Sequence, residues 1–168
     1  MTQSVATADT DKEQMHRTAE RDIGKFSYRN DDGEAMDFAG GLKKIMVLGK
    51  TPRTRLAVQV VKEGGENNLH YHTGTDIVYM VLQGRVKFHG PDGVVYGEFD
   101  QHEGLVIPAG ARYWFETTGE VPLELFQVFF YSEDPATAKR VNLERAKDWM
   151  AGNAVLQVYE DAPLKPSA

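Results

Sequence analysis

Between about Lys25 and Tyr131 the chain is a succession of short apolar, β-branched and aromatic runs, each closed by Gly, Pro, Asn or Asp: KKIMVLG, RLAVQVVKEGG, DIVYMVLQG, RVKFHGPDG, VVYGEFD, GLVIPAG, RYWFETTG and VPLELFQVFFY. Runs of this length at this spacing predict an all-β sandwich or barrel. Pro91-Asp92-Gly93 separates two of the runs. Proline presets one dihedral and glycine supplies a positive φ, so RVKFHG and VVYGEF are expected to form a hairpin. The pattern changes at both ends. Up to about Asp22 the chain is polar and charged, which predicts a mobile arm or a short helix resting on the body. After Ser132 comes DPATAKRVNLERAKDWMAG, with Asp134 placed as a cap, Pro135 at a first helical position and Gly152 as a stop. One closing helical segment is predicted there. Three parts are therefore expected: a polar arm over 1–24, a β-barrel over 25–132, and a helical segment with a tail over 133–168.

Composition narrows the chemistry. The 168 residues suit one domain that buries its own core. With no cysteine, thiolate ligands, a thiol nucleophile and disulfides are excluded, leaving His, carboxylate and phenol chemistry. A net charge of -6 with mostly scattered Lys and Arg argues against nucleic acid as a partner. The amino end lacks the apolar core of a signal peptide, and no run is long and apolar enough to span a bilayer. A cytoplasmic protein that does not engage membranes is expected. An open sheet edge is a template for pairing, so a homodimer is expected too, with the arm covering or extending a neighbour's edge.

The candidate chemistry centres on NNLHYHTGTDIVYMVLQG, beginning at Asn67. In a strand, alternate side chains share a face, so His70 and His72 project together with Tyr71 opposite. From Gly64 onward the residues read glycine, five residues, H-x-H, a carboxylate near 76 or 77, then an apolar strand to Gly84. Further on, GLVIPAGARYWFE carries a P-x-G turn at Pro108 and Gly110. These two stretches, in this order with a hairpin between them, resemble the two motifs of the cupin superfamily, and the resemblance covers about Val58 to Val128. It implies a double-stranded β-helix, a small jelly-roll barrel with a pocket lined by both motifs, and one divalent metal (Fe, Mn, Ni or Zn) held by His70, His72 and a carboxylate.

The ligand set departs from that pattern. Three residues past His72 stands Asp76, whereas the spacing back from Gly84 falls on Ile77. Asp76 is then either a ligand in a bulged strand or the cap of the turn Thr73-Gly74-Thr75. Where the resemblance implies a third histidine stands Tyr113. As a phenol it is a candidate catalytic proton donor or base, or a wall aromatic. Gln59, Tyr79, Phe115 and Gln127 are expected to line the pocket in phase with the histidines. His89 and His102 are expected near the surface, and His16 lies in the arm.

Three functional classes follow. The first is a metal-dependent enzyme acting on a small organic molecule, of lyase, isomerase or dioxygenase type, with open coordination positions on the metal and Tyr113 moving a proton. The second is a metal-free or weakly metal-binding cupin, either an isomerase-like enzyme or a small-molecule binder. The third is a non-catalytic accessory dimer.

Overall fold

In the computed structural model, residues 3–28, 36–38, 42–132 and 136–144 are described. The strands are β1 (Met36–Phe38), β2 (Lys43–Thr51), β3 (Thr54–Val61), β4 (His70–His72), β5 (Thr75–Gln83), β6 (Val86–His89), β7 (Val95–Phe99), β8 (Gly104–Ile107), β9 (Trp114–Thr117), β10 (Leu123–Tyr131) and β11 (Arg140–Asn142). The eight β-rich runs become β2, β3 and β5 to β10, and three short strands, β1, β4 and β11, join them. A six-stranded antiparallel sheet runs in the order β1-β2-β3-β10-β5-β8. Opposite it lie the ladders β11-β4 and β7-β6-β9. An antiparallel bridge between His70 and Tyr113 joins these ladders into one layer, with Tyr113 N–H donating to the His70 carbonyl at 2.8 Å and His70 N–H to the Tyr113 carbonyl at 3.0 Å. This is the all-β, double-stranded β-helix architecture.

The core is the space between the layers. Val61, Ile77, Tyr79, Val81, Val86, Phe88, Ile107, Tyr113, Phe115, Leu123, Leu125 and Phe129 form one buried cluster, drawn alternately from both sheets as period-two patterning requires. The β6–β7 hairpin forms with Val86 opposite Phe99. Its connection is a short 3-10 turn over Pro91–Gly93, in which Asp92 and Gly93 both take positive φ.

The two ends differ in how they match the sequence. Gln3–Arg21 is a helix, α1. Its residues 11–21 are all exposed, so over that stretch it does not rest on the barrel, and an i,i+4 pair, Arg17 to Glu13 at 3.1 Å, decorates it. At the other end, the predicted helix gives way at 140–142 to β11, which pairs with β4 in the register Arg140↔His72, Val141↔Tyr71, Asn142↔His70. Tertiary pairing overrides local propensity here, because β4 needs a partner on that edge and Val141 and Asn142 become buried in supplying one. Asp134, Pro135 and residues 145–168, including Gly152, lie outside the described residues.

Candidate functional site

Antiparallel partners share a face, so the β4–β11 register puts His70, His72, Arg140 and Asn142 on one side, and the bridge adds Tyr113. Across the interior, β10 aligns Phe129 with Arg55 and Ile77, and Gln127 with Ala57 and Tyr79. The site is therefore assembled from five separate strands at one end of the barrel.

Its inner part is fully buried. His70, Tyr79 and Tyr113 are at most 2% exposed. The Tyr79 and Tyr113 hydroxyls are 2.8 Å apart and share a hydrogen bond. The His70 ring lies 4.4 Å from that of Tyr113 and 5.2 Å from that of His72. His70 Nδ1 is 2.7 Å from the Asn68 carbonyl oxygen; donating a proton there fixes the tautomer that leaves Nε2 as an acceptor toward the interior. Burial, then the charge of Arg140, then His72 push the His70 imidazole well below its usual range. His72 is lowered to about 3 by burial, then Arg140 and Arg55. Both are neutral at pH 7. The phenols move the other way: Tyr79 is pushed up to about 12 by burial, and Tyr113 is raised by burial and by Tyr79. Both keep their protons.

The outer part is half-buried and cationic. Arg55, His72 and Arg140 are each intermediate in exposure. The Arg55 guanidinium sits 4.2 Å over the Phe129 ring, and that ring meets His72 edge-on at 5.8 Å. Arg140 donates to Asn142 Oδ1, and its Nη2 donates to Asn68 Oδ1 at 2.7 Å.

Gln59, Tyr79, Phe115 and Gln127 all turn inward and are at most 4% exposed. Gln59 Nε2 donates to Gln127 Oε1 at 2.5 Å. Asp76 is the residue the structure moves out of the expected site. It is exposed, between the buried Thr75 and Ile77, and its Oδ1 accepts the Ala109 N–H at 2.8 Å. No bulge re-aims it, for the β5–β10 register is regular from Thr75 through Val81 and shifts only between Glu124 and Leu125. Nor does it cap the Thr73-Gly74-Thr75 turn. It anchors the P-x-G loop instead, whose Gly110 takes φ +80° and donates its N–H to the His72 carbonyl at 2.8 Å. The inward position at that level belongs to Ile77, which is 1% exposed.

The expected metal therefore meets two neutral imidazoles, a protonated phenol and cationic neighbours. Among the described residues, no three His, Cys, Asp or Glu side chains converge on one point. Arg140, Arg55 and Lys43 act on these groups as positive charges, which opposes a divalent cation, and a phenol must lose its proton to bind one. The donor set does not fit.

The other histidines lie elsewhere. His89 stacks on Trp114 at 4.1 Å and faces Glu116 at 3.0 Å, while His16 and His102 are exposed. Arg55 and Arg140 escaped the sequence reading. Arg55 carried a signal, standing in phase with Gln59 along β3. Arg140 carried none, because its segment reads as helix.

A family profile described as Cupin domain (Cupin_2) matches residues 57–129. No curated protein matches the sequence. Among solved structures, the chain is similar to an RmlC-like cupin from Shewanella frigidimarina, at 18% identity and TM-score 0.54, over 65% of this chain and 92% of that one. It is similar to KdgF from a Halomonas species, at 15% identity and TM-score 0.53, over 64% and 94% of the two chains. The oxalate decarboxylase of Lactobacillus farciminis in a formate complex matches at 19% identity and TM-score 0.51, over 64% of this chain and 33% of that one. Identities this low speak to the fold alone. With both motifs on adjoining strands of a double-stranded β-helix, residues 57–129 are a cupin domain.

Proposed function

We propose that this cupin binds a small organic molecule at the polar end of its barrel and handles it by proton transfer, without a resident metal. The observation that carries the reading is the buried Tyr79–Tyr113 hydroxyl pair packed against His70. A protonated phenol beside a neutral imidazole pairs a proton donor with an acceptor; burial weakens both, so transfer here calls for a bound ligand that draws them back toward neutral pH. Gln59 and Gln127 add amides to the same interior, in keeping with pockets that orient a ligand through a few convergent polar groups. Tyr113 is the catalytic acid in this reading, and Tyr79 positions its hydroxyl. Oxalate decarboxylase and KdgF are relatives in fold, yet a fold does not choose among lyase, isomerase and dioxygenase chemistry. The reading accordingly favours the metal-free class over the metal-dependent enzyme.

The test is elemental analysis of untagged protein purified without a nickel column, beside Tyr113→Phe. Metal well below one equivalent is expected, with thermal stability unmoved by chelator. Tyr113→Phe should fold normally and lose on the order of a hundredfold in turnover. One equivalent of metal that disappears in His70→Ala and His72→Ala overturns the metal-free assignment.

The same reading includes a homodimer. Strands β1 and β8 are the outer strands of the six-stranded sheet, and Met80, Val106 and Phe130 expose apolar side chains on its outward face, a surface suited to self-association. Light scattering at micromolar concentration reads the assembly; a monomer removes it.

A further inference from the structure

We propose that the ligand of this site is an organic anion, a small carboxylate, whose charged group is received by the Arg55 guanidinium at the outer part of the site. This rests on the small-molecule reading above and names its substrate class.

The first support is an unmet donor. Arg55 Nε is buried and has no hydrogen-bond partner. A buried cationic donor costs free energy unless an acceptor meets it, and native interiors leave few such atoms. The guanidinium is held in place 4.2 Å over the Phe129 ring, a cation–π contact that limits its freedom to sweep through water.

The second support is the sign of the surroundings. Positive charge from Arg140 and Arg55 reaches His72 and Tyr79, and Arg140 also reaches His70 and Tyr113. Two guanidiniums on opposite layers, Arg55 on β3 and Arg140 on β11, thus bias one space toward negative charge. Their roles differ. Arg140 spends donors on Asn142 and Asn68, so it supplies field and holds the β4–β11 wall, while Arg55 is left to make contact.

The third support is depth. Arg55, Arg140 and His72 are half-buried, and His70, Tyr113 and Tyr79 are buried beyond them. An anion held at the outer cations presents the rest of its skeleton to the Tyr113 hydroxyl and the imidazoles. A planar carboxylate matches one planar fork through parallel N–H···O bonds. Phosphate can engage the same fork and is therefore the competing anion in the test.

The test titrates the full chain by calorimetry at constant ionic strength with acetate, malonate and succinate, with the matching amides acetamide, malonamide and succinamide, and with inorganic phosphate. At least one carboxylate should bind, its amide should not, and Arg55→Gln should weaken the carboxylate on the order of tenfold or more. Should Arg55→Gln fail to fold, Arg55→Lys keeps the charge, loses the fork, and should still weaken binding. Phosphate binding more tightly than every carboxylate, or a carboxylate whose affinity ignores Arg55, overturns the inference. If only amides bind, the anion assignment fails while the small-molecule reading stands. If no probe binds, both fail.

Discussion

The two ends of the barrel interior are built by the same strands and do opposite things. Toward one end β3, β5 and β10 contribute Val61, Val81, Leu123 and Leu125, each with no exposed surface, joined by Val86 from the facing sheet. A few residues along the same strands, the inward positions become Arg55, Gln59, Tyr79 and Gln127, facing His70, His72 and Tyr113. One end is ordinary close packing, whose stability comes from apolar area removed from water. The other buries amides, phenols, imidazoles and cations, at a cost that mutual hydrogen bonds offset in part. Apolar packing and polar groups are segregated along the barrel axis, so substitutions at the two ends should separate folding from the proposed binding.

The largest expected effect is at the apolar end. Leu125→Ala should cost about 2–5 kcal/mol of unfolding free energy by leaving a cavity between the sheets. Urea titration measures it, and carboxylate affinity in the folded fraction should be unchanged. Altered affinity at full folding would break the separation.

Next is pH. Folded His70 and His72 are neutral because their values are lowered, His72 to about 3, while in the unfolded chain a histidine takes a proton near 6.5. Between those limits the unfolded state binds more protons, so stability is lost as pH falls from about 6.5 toward 3 and is insensitive to these groups above that window. The slope should be on the order of 1 kcal/mol per pH unit, and His72→Gln should flatten it. A melting temperature unchanged between pH 7 and 5 would show that the polar end is open to water.

Smaller again is the phenol pair. Tyr79→Phe and Tyr113→Phe each strand a buried hydroxyl and should cost about 1–3 kcal/mol. The double variant should cost less than their sum, because no partner is left unmet. Additive losses would mean that the two hydroxyls do not depend on each other.

The smallest effect is expected at Asp76, which faces outward. Asp76→Asn should change stability by about 0.5 kcal/mol or less and leave ligand binding and metal content as they were. A clear change in either would return Asp76 to the site.

The strand pattern, the hairpin at Pro91–Gly93 and the shared face of His70 and His72 follow from alternation and turn chemistry, which are local and therefore written in the chain. Inward phase was legible for the same reason: Gln59, Tyr79, Phe115 and Gln127 lie on the interior parity of their strands. Asp76 shows the limit. Alternation with Tyr79 put Ile77 inward and Asp76 outward unless a bulge intervened, and only the regular register of β5 against β10, set by pairing between distant segments, showed that none does there. Arg140 lay further still beyond local reading. Its segment has helix-forming residues, and it becomes a strand because β4, more than sixty residues earlier, offers an unpaired edge. The cationic rim of the site, like the contact between the Tyr79 and Tyr113 hydroxyls, is a product of closure, since it brings together side chains whose separation along the chain carries no record of their meeting.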